Sequence, residues 1–235
     1  IVKNDKDWFN LKEVSENYPR KKKLYGPIFK VLFRIGRLIK LKLFGSISIL
    51  CTGKKGLGKT TTSNEICNTL IKDGIPIIEI KYIDVTTNLI EFLSNFRNCA
   101  IYIDEFGKIF NNDYQEKMLT LLNKNDEYYN VFILGENELY KISNFLLDRM
   151  ERIRYHVRHD RISKDDLDEY AKDNGMSNDI LTNLARINGK SSVISYDTLE
   201  VVAEEHKLFP ELPFEELVEI MNCQGIIGVS VVEVL

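Results

Sequence analysis

The 235-residue sequence holds only four cysteines, and no two of them stand at C-x-x-C spacing. Cys51, Cys67, Cys99 and Cys223 lie far apart, which excludes a disulfide-stapled scaffold and predicts reduced, mostly buried thiols of a cytosolic protein. Long apolar runs are missing too. No stretch approaches the ~20 uninterrupted apolar residues of a membrane span, so no transmembrane segment is expected. Nothing matches the pattern of a secretory signal. An excess of one charge is also absent: 32 Lys and Arg stand against 35 Asp and Glu, for a formal net charge of -3. The molecule is therefore no polycation, and any nucleic-acid surface must be a local patch. The chain starts at Ile1 rather than Met, as expected of a fragment or of a chain without its first residues.

What remains is a globular composition, 44% hydrophobic and 29% charged, with room for one core domain and a small second one. Abundant Lys, Asn and Ile suit an AT-rich genome, such as that of a phage or a low-GC bacterium. The expected location is the cytoplasm of a bacterial or phage-infected cell.

Residues 1–23 are polar and end in "PRKKK", an N-terminal arm. "PIFKVLFRIGRLIKLKLF" (27–44) mixes bulky apolar residues with Lys and Arg at helical spacing. It reads as a helix packed on the domain with a solvated basic face, or as a membrane-surface helix. From residue 46 apolar strands alternate with helices. "SISILCT", "IPIIEIKYI", "CAIYIDEF", "NVFILGENE" and "IRYHVR" are the strands; helices are expected between them, the last over "LYKISNFLLDRM". The alternation predicts a parallel five-stranded sheet with helices on both faces, an α/β domain over 24–159. Its ligand belongs at the carboxyl ends of the strands. "SKDDLDEYAKDNG", "SNDILTNLARING" and "SYDTLEVVAEEH" then form a small all-α domain over 160–205, with Ser163 and Ser177 as N-caps, followed by a tail over 206–235.

The chemistry starts at "CTGKKGLGKTTTS" (51–63), which fits G-x-x-x-x-G-K-T between a strand and a helix. The loop runs from Gly53 through Lys54, Lys55, Gly56, Leu57, Gly58, Lys59 and Thr60 to Thr61. Its backbone N–H groups would cradle phosphates, aided by the positive end of the helix dipole. Lys59 would reach the β- and γ-phosphates of ATP, and Thr60 would set its hydroxyl on Mg²⁺. Lys54 and Lys55 fill variable places and add charge nearby. "AIYIDEF" delivers two carboxylates to the same sheet edge: Asp104 for the Mg²⁺ shell and Glu105 to polarise a water for in-line attack. Asn137, after "VFILGE", could bond that water or the γ-phosphate. Arg149 and Arg152, three apart in "LLDRMERIR", read by themselves as surface charge.

The series of P-loop, "IDE", strand-end Asn, Arg before a last strand and helical lid resembles the AAA+ ATPases over roughly residues 24–200. "LYG" at 24–26 resembles the segment those proteins use to hold adenine, which implicates Tyr25 and Gly26. The resemblance implies that Asn137 is a sensor 1 residue. It also makes Arg149 or Arg152 the finger that reaches a neighbouring subunit's γ-phosphate, so the partner is a second copy in a hexamer or pentamer. "IDEF…VFILGENELYKISNFLLDRM" is similar to sliding-clamp loaders and favours a nucleic-acid client in replication or packaging, with the basic stretch from Arg20 to Lys42 as support. "RMERI" and "NGMSNDIL" are similar to protein remodellers, which favours a protein client gripped by Tyr82 and Ile83. Near "GKSSVIS", where many lids carry a sensor 2 arginine, this chain has Ser and Val with Lys190 nearby. No clamp-loader collar is expected in the residues after 205.

Overall fold

The strands form where β-branched and aromatic residues run together between turn residues. In the computed structural model, residues 2–3, 9–10, 17–19, 21, 23–41, 45–81, 88–123, 129–189, 193–219 and 221 are described. The basic-run residues Arg20, Lys22 and Lys42, together with Tyr82, Ile83, Lys190 and Cys223, lie outside them. A two-residue antiparallel pairing of β1 (Val2–Lys3) with β2 (Phe9–Asn10) comes first. The main sheet holds β3 (Ile47–Gly53), β4 (Ile77–Ile80), β5 (Cys99–Ile103), β6 (Asn130–Glu136) and β7 (Tyr155–His159) in the order β4-β5-β6-β3-β7. It is the parallel sheet expected from the alternation, with Ile47 opposite Val131 and Cys99 opposite Asn130.

Side-chain alternation along these strands feeds two cores. Ile49, Cys51, Ala100, Tyr102, Val131 and Ile133 face helices α1 (Ile28–Leu41) and α2 (Lys59–Lys72). Leu50, Ile101, Ile103, Phe132 and Leu134 face the other way, toward α3 (Asn88–Ser94), α4 (Phe106–Ile109), α5 (Asn112–Leu122) and α6 (Asn144–Leu147). Each buried Ile or Leu contributes roughly 1.5–3 kcal/mol. Cys51, Cys67 and Cys99 are free, buried thiols, and burial pushes Cys51 up to about 12 and Cys99 up to about 11. Tyr18 is tied to α2: its N–H donates to Asn68 Oδ1 and its C=O accepts from Asn68 Nδ2, at 3.0 and 3.2 Å.

α1 keeps Ile28, Val31 and Ile35 inside and turns Lys30, Arg34 and Arg37 outward. Phe29 and Phe33 are exposed as well, at 60% and 71%. The helix contains no acidic residue.

The helix expected over 139–150 is broken. It is a 3₁₀ turn at Leu139–Lys141, then α6 from Asn144. Gln115 of α5, buried, supplies the reason. Its amide donates to Phe110 O and Lys141 O at 2.9 and 2.8 Å, and its Oε1 accepts from Ser143 N at 2.7 Å. The carbonyl of Lys141 and the N–H of Ser143 are thereby bound by a side chain and cannot join a helical ladder.

Contacts divide the chain into two units, 1–53 with 59–158, and 54–58 with 159–235. The second unit contains α7 (Lys164–Asn174), α8 (Asn178–Gly189), α9 (Tyr196–Leu208) and α10 (Phe214–Val218). Ser163 and Ser195 cap α7 and α9 by accepting from Asp166 N and Thr198 N, each at 3.1 Å. Gly175, with φ 67°, ends α7 in the left-handed conformation that glycine adopts without strain. Leu167, Ile180, Leu184 and Leu199 form this core, and Leu57 joins it. So do Phe214, Leu217 and Val218, from the segment read in sequence as a tail. Tyr196 N donates to Gly56 O at 2.9 Å. Among the described residues no helix is long and apolar enough to cross a membrane.

Candidate nucleotide-binding and hydrolysis site

The loop after β3 has the backbone that a phosphate cradle requires. Gly53, Gly56 and Gly58 have φ of 141°, 77° and 95°, conformations that side chains disfavour. Lys59 and Thr60 then open α2. Lys59 is buried, which lowers its pKa, while the carboxylates of Asp104 and Glu136 pull the other way.

Asp104 follows β5 at the same edge of the sheet. Its Oδ2 accepts from Thr60 Oγ1 at 3.2 Å, and its Oδ1 accepts from Glu105 N at 3.0 Å. The glycine at 135 makes room for it, because a Cβ there would lie 2.4 Å from Asp104 Oδ1. Thr60 and Asp104 thus offer a hydroxyl and a carboxylate side by side, the hard oxygen donors that suit Mg²⁺.

Glu105 occupies the left-handed region (φ 52°, ψ 49°), a strain of about 1–3 kcal/mol for a residue with a Cβ. The turn carries its carboxylate off the end of β5. Lys108 Nζ lies 2.7 Å from Glu105 Oε2, and the Asn137 side chain also hydrogen-bonds to this carboxylate. Lys108 first, then Asn137, hold Glu105 below the usual carboxylate range. The first unit therefore brings together Lys59, Thr60, Asp104, Glu105 and Asn137.

Arg149 and Arg152 differ. Arg152 is half-buried and its guanidinium donates to the Phe145 carbonyl, while Arg149 is exposed. Tyr25 lies under the Lys23 ammonium, 5.6 Å from its ring centre, and Gly26 has φ 87°. Lys54 and Lys55 are exposed.

One residue of the site escaped the sequence reading. Glu136, the last of β6, is 2% exposed. Its Oε2 accepts from Gly107 N at 2.6 Å, and its Oε1 accepts from Asn137 N and Glu138 N at 2.8 and 3.2 Å. The signal was a carboxylate closing a strand buried on both faces, where an unpartnered charge would be costly.

The match to known proteins agrees with this geometry. Residues 49–157 match the model of the ATPase family associated with various cellular activities, AAA. The match spans 109 of the 235 residues, a little under half of the chain. The matched segment runs from β3 into β7 and contains every one of the five gathered residues. No curated protein matches the sequence. Among solved structures, a proline-to-glycine variant of RuvB from Thermotoga maritima shares 14% identity at a TM-score of 0.60, over 89% of this chain and 75% of that one. At that identity the likeness concerns the fold, and it extends beyond the matched segment.

Proposed function

We propose that the chain is a Mg²⁺-dependent ATPase, active as a homo-oligomer and acting on nucleic acid. The observation that carries hydrolysis is the contact of Thr60 with Asp104, with Glu105 and Asn137 joined at the same sheet edge. Lys59 and the loop N–H groups would hold the triphosphate; Thr60 and Asp104 would hold the metal. Bound Mg²⁺ would neutralise charge developing on the phosphate oxygens. Glu105 takes the proton of the attacking water once that water displaces Lys108 from its oxygen, and Asn137 orients the water. Exposed Arg149 is the group free to reach a neighbouring copy, while Arg152 is turned inward.

The nucleic-acid client is supported by α1. Lys30, Arg34 and Arg37 offer phosphate contacts, and Phe29 and Phe33, one turn apart, offer faces for stacking.

Glu105→Gln is expected to bind ATP normally and to hydrolyse it roughly a hundredfold or more slowly, measured as trapped radiolabelled ATP and phosphate release. Wild-type turnover should rise with single-stranded DNA, and this stimulation should fall steeply with salt. Stimulation by an unfolded polypeptide and not by DNA would replace the client with a protein; a Glu105→Gln variant of unchanged rate would remove the catalytic assignment.

A further inference from the structure

The hydrogen bonds of Glu136 join two stretches that the sequence keeps far apart. One carboxylate oxygen accepts from Gly107, in the turn that sets Glu105; the other accepts from Asn137 and Glu138 at the end of β6. Glu105 sits in a strained left-handed conformation, and Asn137 is the first residue beyond its strand. A rigid bridge between them sets the distance from the Glu105 carboxylate to the Asn137 amide.

We infer that Glu136 is a positioning residue for ATP hydrolysis, holding Glu105 and Asn137 in register through their backbones without touching the substrate. The inference rests on the hydrolysis reading above. Three features support positioning over simple core filling. The side chain is buried yet ionisable, in a strand where an apolar residue would pack as well. All three of its hydrogen bonds are accepted from backbone N–H groups, and both stretches that they belong to carry a residue of the reaction centre. Gly107 leaves no slack, since a Cβ there would lie 2.7 Å from Glu136 Oε2 and 2.7 Å from Lys141 Cβ.

The test approaches one hydrogen bond from both ends. Glu136→Gln keeps the shape but loses one acceptor oxygen, so either Gly107 or the Asn137 pair goes unbonded. Gly107→Ala leaves the carboxylate in place and forces the turn away from it. Steady-state ATPase, binding of a fluorescent ATP analogue and thermal unfolding are measured for both. The expected result is a kcat lower by about tenfold or more in each, with KM and analogue affinity within about threefold of wild type. The double variant should be no slower than the slower single one, because both break the same link. A Glu136→Gln protein of wild-type kcat overturns the inference, and so does a loss of kcat matched by an equal loss of nucleotide affinity. Should Glu136→Gln fail to fold, Gly107→Ala is judged by the same criteria. Wild-type protein that binds the analogue without turning over ATP refutes the hydrolysis reading and this inference with it; wild-type turnover with unaffected variants refutes the positioning role alone.

Discussion

Two residues beside the reaction centre have roles that only close contacts reveal. Gly135 is one. Its missing side chain is what lets Asp104 lie flat against β6, so Gly135→Ala should displace the carboxylate from Thr60. The expected outcome is a stability loss of about 1–3 kcal/mol by urea unfolding together with weaker Mg²⁺ dependence of ATPase. Lys108 is the other. Its ammonium is the largest influence keeping Glu105 ionised below the ordinary carboxylate range. A base whose pKa is depressed remains competent as pH falls, until its own lowered value is reached. Lys108→Ala should therefore move the acid limb of the kcat–pH profile to higher pH, and an unmoved limb would show that Lys108 does not touch the working base.

At the scale of elements, the sequence was most readable where one contiguous stretch carries both shape and chemistry. The glycines and Lys59 of the phosphate loop, and the apolar run that ends at Asp104, can be read without knowing what lies beside them. The five strands were legible for the same reason, since each is a short apolar run that pairs with others like it. Gln115 and Glu136 were not legible, because their meaning lies in backbone groups distant in sequence. Nothing local in "LYKISNFLLDRM" announces a break; the break is imposed by an amide on another helix. Gln115→Ala should thus leave Lys141 O and Ser143 N short of their buried partner and cost roughly 2–4 kcal/mol, seen as a lower urea midpoint. Arg149 should gain mobility with it, since α6 ends two residues before it.

For the whole molecule, the decisive question is whether one copy suffices. If Arg149 serves the site of another copy, specific ATPase activity rises with protein concentration, and Arg149→Ala lowers kcat by roughly a thousandfold. Arg149→Ala mixed with Glu105→Gln should then regain activity, because one supplies the carboxylate and the other the guanidinium. A mixture as inactive as its components would mean that the arginine acts within its own chain or not at all. The order of the strands has a further consequence, for how the chain comes to be folded. Interior β3 pairs with β6, as Ile47 with Val131, and has β7 on its other side. Neither neighbour exists until most of the first unit has been synthesised, and such long-range parallel pairing is slow. During that wait, open strand edges invite pairing with other nascent chains. The strands that end up outermost are poor templates for it: β4 has four residues with Lys81 directly after it, and β7 is flanked and punctuated by exposed Arg154 and Arg158. The arrangement that delays closure of the sheet thus also leaves its margins ill-suited to aggregation.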